Sequence, residues 1–322
     1  MNFLITGANG FIGRALSERL LGVPESLPAA LRRFGRMTLI DLNFAGPEVA
    51  RVRRIPGSIA DPKIIAQAFD SPVDVVFHLA SIPGGMAEQN YELARQINLD
   101  ATVALLEAAR SQTIASARTT TFVFASSIAV LGGPLPDAVD DRTAPRPTLS
   151  YGAQKWIGEI LLEDFHRRGW IRGRALRLPG IVARPAERTG HLSAFLSDII
   201  RELAQGGSFA CPVSADSTTW LMSLSCVVDN LLHGATMPDA ACQDTRVWTL
   251  PALRTSMTEL VQAIAAVYDP DAVKRVSYAS NPALEAKFGR YPPLSTPAAE
   301  RAGFRHDGDI ESLVRRALPA HG

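Results

Sequence analysis

The sequence predicts an α/β chain, a doubly wound parallel sheet with a smaller α/β second domain. Three observations predict it. Short apolar runs alternate with helix-like segments through the first half of the chain. A glycine-rich turn stands directly between the first run and the first helix-like segment. Beyond Leu178 the alternation gives way to irregular sequence that includes a Pro- and Ser-rich piece, Cys211–Thr219. Strand–helix alternation implies right-handed crossovers and therefore parallel strands.

Asn2–Thr6, Met37–Leu42, Val73–Leu79, Thr121–Ala125 and Arg174–Leu178 are the apolar runs, as expected of strands buried on both faces. Ile12–Leu21, Ile64–Phe69, Asn90–Arg110 and Tyr151–Arg168 lie between them with apolar residues at helical spacing. Asp61 before Pro62 reads as an N-cap. Later, Leu192–Leu203 is helix-like and Val247–Leu250 resembles a late strand. Ser256–Val267 carries a capping signature, Ser256 with Glu259 three residues on. The boundary is expected near Pro179. Residues 1–178 form the first domain and 179–322 mainly the second, with about 215–255 returning to the first.

Composition narrows the function classes. The 322 residues are 47% hydrophobic and 20% charged, enough to bury a sizeable core. A net charge of +1 gives no global field for nucleic acid or an anionic membrane, so neither is an expected partner. Arg51, Arg53 and Arg54 read as a solvated face. Cys211, Cys226 and Cys242 have no metal-like spacing and read as reduced thiols of a cytoplasmic protein. No basic leader precedes the first apolar run, and no stretch of about 18 apolar residues exists, so neither export nor a membrane span is expected.

The turn Gly7-Ala8-Asn9-Gly10-Phe11-Ile12-Gly13 follows the first strand and opens the first helix. Glycines let the backbone approach a pyrophosphate, and the helix start offers free N–H groups at the positive end of its dipole. Asp41 closes the second run, where a carboxylate can accept the adenosine ribose hydroxyls and repel a 2′-phosphate. That favours NAD over NADP. The segment Gly22–Arg36, with two prolines, accounts for the long gap between turn and acid. Ser58-Ile59 stands where an apolar side chain commonly lies beside the adenine.

Tyr151 and Lys155 are four residues apart in Ser150-Tyr151-Gly152-Ala153-Gln154-Lys155, and Ser126-Ser127 precedes them. A phenol, an ammonium and a hydroxyl in this order suit removal of a proton from an alcohol. On a helix the pair shares one face. A unit charge at ~4 Å and an effective dielectric of ~20 supplies about 4 kcal/mol. Each pKa unit needs only about 1.4 kcal/mol, so the ammonium can favour the phenolate by about two or three units.

Together, Gly7/Gly10/Gly13, His78-Leu79-Ala80-Ser81, Asn98, Ser126-Ser127, Tyr151/Lys155 and Leu178-Pro179-Gly180 resemble the extended short-chain dehydrogenase/reductase family, across essentially the whole chain. The resemblance implies a Rossmann-type first domain, a smaller substrate domain and bound NAD(P). It implies Tyr151 as general base, Ser127 as the hydroxyl that holds the substrate oxygen, and Lys155 on the nicotinamide ribose. It also implies that Leu79, Ala80, Ser81, Asn98, Pro179 and Ile181 line the cofactor, with Ser81 also reaching substrate. His78 is expected to be a core histidine, and Asn98 to hold the active-site helix through backbone hydrogen bonds.

A closer resemblance, through Gly132–Asp137, Ala175–Pro179, Cys211-Pro212-Val213 and Trp220-Leu221, is to members that oxidise the C2 hydroxyl of four-carbon sugar acids. Two departures bear on the alternatives. Leu131 stands where epimerases and dehydratases usually carry an aromatic residue, and Ser127-Ile128-Ala129 lacks the acid that a dehydratase places there. A small acid needs a carboxylate anchor, and the planar fork of arginine suits it. Arg184 is the first candidate, with His191, Arg188 and Arg201 as alternatives. An L-threonine-type dehydrogenase, a nucleotide-sugar epimerase and a non-catalytic NAD sensor are the competing readings. The second domain offers Trp220 and Arg201 to a nucleotide, but no dense basic cluster. Surplus apolar residues on Asn90–Arg110 and Tyr151–Arg168 point, with the family, to a homodimer through a four-helix bundle.

Overall fold

The computed structural model describes residues 1–185, 193–242 and 245–318. The chain forms two compact units. The first comprises Met1–Gly132, Pro145–Arg177 and Val228–Thr249, and the second Gly133–Ala144, Leu178–Val227 and Leu250–Gly322. The stretch that joins the first unit late in the chain is thus Val228–Thr249, narrower than 215–255.

The first unit is built on β1 (Asn2–Thr6), β2 (Arg36–Asp41), β3 (Val52–Pro56), β4 (Val75–His78), β5 (Thr120–Ser127) and β6 (Ile171–Leu178), with Val247–Thr249 at the far edge. Their order is β3-β2-β1-β4-β5-β6 and then Val247–Thr249. β1 pairs in parallel with both β2 and β4. The order reverses between β1 and β4, and ligands of such sheets bind outside the carboxyl ends at that switch. Gly7 follows β1 and Leu79-Ala80-Ser81 follows β4, so both arrive at this point.

The helices of this unit include α1 (Phe11–Leu21), α2 (Pro62–Ala68), α3 (Gly84–Gln89), α4 (Tyr91–Arg95), α5 (Ala101–Ser116) and α6 (Ser150–Arg167), together with most of Leu224–Thr236. The apolar runs do what their composition requires. Leu4, Ile40, Val76, Phe122 and Phe124 are fully buried and meet α2, α5 and α6 through Ile64, Leu105 and Leu162. Asp61 caps α2 by accepting from Lys63 N, with Pro62 in the first turn.

Several elements differ from the sequence reading, two of them for a plain physical reason. β3 was hidden because Arg53 and Arg54 interrupt its apolar pattern. It is an edge strand, so charged side chains can reach water there. The expected helix Asn90–Arg110 is instead α4, a π turn over Gln96–Asp100, and α5, which runs on to Ser116. A π turn inserts one residue and resets the helical face, which a 3.6-residue period cannot reveal.

In the second unit, Thr218–Ser223 lies between Leu253–Ser256, antiparallel, and Gly180–Val182, parallel. Phe209–Cys211 pairs with Val276–Tyr278. The helices Phe195–Ala204, Met257–Val267 and Ile310–Ala317 close a core that includes Leu196, Ile199, Leu260, Ile264 and Leu313. Ser256 and Glu259 form the expected capping box.

Candidate active site

The cradle at the switch point admits only glycine at two positions. Gly7 has φ +69°, and a Cβ there would lie 2.7 Å from Ala80 N. A Cβ at Gly13 would lie 2.1 Å from Gly7 O. Gly10 donates to Gly7 O at 3.1 Å and heads α1, with no side chain capping the helix. Phe11 and Ile12 occupy the first turn, partly exposed. Asp41 accepts from Asn9 N at 2.8 Å and from Leu42 N at 2.7 Å, so the acid also braces the turn. The Asn9 side chain is held between Arg14 Nε, at 2.9 Å, and Asn43 O, at 3.2 Å. A tight backbone cradle, a helix start without a cap and an adjoining carboxylate together fit a dinucleotide.

Leu79, Ala80 and Ser81 leave β4 half-exposed. Leu79 N donates to Thr6 O and Ala80 N to Thr6 Oγ1. Ile59 is buried in the core of the sheet, and Ser58 Oγ accepts from Ala60 N.

Tyr151 and Lys155 stand on the first turns of α6. Gly152 allows that approach, because a Cβ there would meet Ala129 O at 2.4 Å. Ala129 belongs to the short turn Ile128–Leu131, which Ser127 caps by accepting from Ala129 N at 3.1 Å. α6 therefore begins against the turn that Ser127 opens. Lys155 is 1% exposed. Its Nζ donates to Ala125 O at 2.7 Å and lies 5.7 Å from the Tyr151 ring centroid and 4.7 Å from that of Phe124. Burial pulls the ammonium down to about 7, and the charge of Glu159 works against that fall.

His78 is fully buried between Thr6 Oγ1 and Thr102 Oγ1, at 2.7 and 2.8 Å, and stacks on Phe124. Burial first, and the Lys155 charge second, push it down to about 3, so it stays neutral and acts as core. Asn98, in the π turn, accepts from Ile82 N and donates to Ile82 O and to Gln154 Oε1 on α6. It ties the loop after β4 to the helix of Tyr151.

The remaining predicted residues belong to the second unit. Pro179 and Ile181 are buried there and Arg184 is half-buried. Arg201 donates to Arg184 O and pairs with Asp198 at 2.5 Å, so its guanidinium is already engaged. Arg188 and His191 lie outside the described residues. Trp220 is fully buried, donates to Pro292 O at 2.8 Å and packs edge-on against Tyr291.

Sequence reasoning missed Glu159 and Arg177, and with them the partner that Ser126 binds. Glu159 is 2% exposed, accepts from Ser126 Oγ at 2.5 Å, and takes Arg177 through both oxygens at 2.9 and 2.8 Å. The signal was present: an arginine inside an apolar strand must find a partner, because a buried unpaired charge is costly.

The sequence model described as the NAD dependent epimerase/dehydratase family matches residues 3–221. A D-erythronate dehydrogenase of Cupriavidus necator is 38% identical over 100% of this chain and 99% of that protein. The mitochondrial L-threonine 3-dehydrogenase of Bos taurus is 24% identical over 99% of this chain and 82% of that protein. A solved nucleoside-diphosphate-sugar epimerase of Agrobacterium tumefaciens superposes with a TM-score of 0.90 at 31% identity, covering 98% of this chain and 92% of that one.

Proposed function

The chain belongs to the NAD dependent epimerase/dehydratase family, with NAD as its cofactor, and from that premise we propose that it oxidises the C2 hydroxyl of a four-carbon sugar acid, D-erythronate to 2-dehydro-D-erythronate. The observation that carries the reading is Lys155, buried beside Tyr151 on a helix that begins against the turn opened by Ser127. Tyr151 takes the proton of the substrate hydroxyl as general base, and Ser127 hydrogen-bonds the same oxygen. Lys155 supplies the positive charge beside the phenol and, as the family implies, holds the nicotinamide ribose. When bound, NAD supplies the hydride acceptor. Gly7, Asn9, Gly10, Phe11, Ile12 and Gly13 receive its phosphates, Asp41 its ribose hydroxyls, and Ser58, Ile59, Leu79, Ala80, Ser81, Asn98, Pro179 and Ile181 complete its lining. Ser81 also meets substrate. The division of labour is a cofactor domain over residues 1–178, to which Val228–Thr249 returns, and a substrate domain mainly over the rest of 179–322.

The epimerase reading draws on the Agrobacterium tumefaciens structure. It requires a nucleotide-binding surface in the second unit. Trp220 is spent in the core and Arg201 on Asp198, so neither side chain supports that requirement. The threonine reading shares Tyr151 and Ser127 and differs only in the pocket.

One experiment separates the three. The purified protein is assayed with NAD against four-carbon sugar acids, L-threonine and UDP-sugars, following NADH and epimerised sugar. NADH formation with an erythronate-like acid alone is expected; epimerisation without net NADH would overturn the reading. We assign the substrate carboxylate to Arg184. Arg184→Ala is expected to raise KM for the acid tenfold or more, roughly the loss of one charged hydrogen bond, and to leave KM for NAD unchanged. An unchanged acid KM removes Arg184 from the site.

We also place the enzyme in the cytoplasm, as its three buried free thiols suit a reducing compartment. It is expected to act as a homodimer. Tyr91 and Leu93 on α4, and Ile157 and Ile160 on α6, are exposed apolar side chains that a paired copy would cover. Light scattering at micromolar concentration checks this, with a monomer as the contrary result.

A further inference from the structure

Glu159 is a buried carboxylate that the proposed reaction does not use. It lies one helical turn beyond Lys155 on α6, on the same face. Its partner Ser126 connects it to the strand end that forms the site. Ala125 O receives Lys155 Nζ, Ser126 Oγ donates to Glu159, and Ser127 is the next residue of β5. Arg177, on β6, closes the network from the other side through both carboxylate oxygens. Three consecutive residues of one strand thus engage α6 or the site it builds. A cheaper arrangement exists, since an apolar group at 159 and another at 177 would avoid burying two charges.

We propose that Glu159 is a positioning residue, which sustains the ammonium of Lys155 and, through Ser126, fixes the strand end that presents Ser127. The inference rests on the reading of Tyr151, Lys155 and Ser127 given above. Glu159 is the carboxylate that faces Lys155. Tyr151 and Glu159 approach the ammonium from α6 itself, and neutral His78 from β4. Arg177 of β6 is paired with Glu159. Glu88 of α3 is occupied by Ser150 N. Asp100 of the π turn is paired with Arg95, and Glu107 of α5 with Arg110. Glu163, a further turn along α6, has its carboxyl raised by desolvation first and by Glu159 second. Ser126 ties the acid to the strand, so its charge and the position of Ser127 are set together.

Glu159→Gln keeps a polar group for Ser126 and removes the charge. The chain has four lysines, Lys63, Lys155, Lys274 and Lys287, so the Lys155 ammonium can be followed by NMR titration of labelled lysine in the full-length protein. Its signal is assigned by its loss in Lys155→Met. The Lys155 midpoint is expected to fall by about one pH unit in Glu159→Gln and to recover in Glu159→Asp. Glu159→Gln leaves Arg177 unpaired and could unfold. The double variant Glu159→Gln/Arg177→Gln removes that problem, and the lowered midpoint is expected to persist in it. An unchanged midpoint in a folded charge-free variant overturns the proposal. The alkaline limb of kcat is expected to move down by the same amount, with KM for NAD constant. The titration needs no substrate. Absence of turnover in the unaltered enzyme would therefore sink the functional reading while the lysine midpoints still decide this one.

Discussion

Tyr151→Phe is expected to lower kcat about a thousandfold and leave NAD binding unchanged. A positioned general base contributes about 10² to 10⁴ in rate, and phenylalanine removes the proton acceptor while keeping the ring. The ring already packs near Lys155, whose Nζ is 5.7 Å from its centroid, so the volume of the site is preserved. The glycine cradle does not depend on the phenol: it is set by Gly7 against Ala80 and by Gly13 against Gly7. NAD affinity, followed by fluorescence or calorimetry, and turnover should therefore separate. Near-normal turnover with bound NAD would remove Tyr151 from the role of base. Lost NAD binding would show instead that the phenol is part of the cofactor site first.

What the sequence made legible follows from what each feature needs. The alternation of apolar runs and helices is a local pattern, and the parallel sheet with its switch between β1 and β4 follows from it. The glycine turn was legible because only glycine fits there, and the structure supplies the reason in Ala80 N and Gly7 O. β3 was not legible, because an edge strand tolerates Arg53 and Arg54. Nor was the π turn, because one inserted residue leaves composition unchanged. It nevertheless sits at Asn98, whose side chain joins Ile82 to Gln154. Glu159 sits on α6 among other charged residues and carries no motif of its own. Arg177 inside an apolar strand calls for a partner, but which carboxylate answers it becomes visible only when β5 and β6 are laid beside α6.

Lys155→Met is expected to cost two to three orders of magnitude in kcat and yet to stabilise the NAD-free protein in acid. The reason is the burial of the ammonium, which lowers its midpoint from 10.5 to about 7. Between those values the unfolded chain binds one more proton than the folded chain. Stability therefore falls as pH drops from 10.5 to 7, and the full penalty is present below 7. Each unit corresponds to about 1.4 kcal/mol, so the penalty is a few kcal/mol. Methionine fills a similar volume without it, but leaves Ala125 O without its donor, a loss of about 1–3 kcal/mol. Below pH 7 the relief exceeds the loss and the variant should be the more stable. Near pH 10.5 the relief is gone and the variant should be the less stable. Urea denaturation at the two ends of this range measures the crossing. Parallel curves would mean that Lys155 carries no strongly shifted charge and that its burial sets no cost against the fold. A crossing would mark Lys155 as a residue retained against its cost to the fold, as expected of a group kept for chemistry.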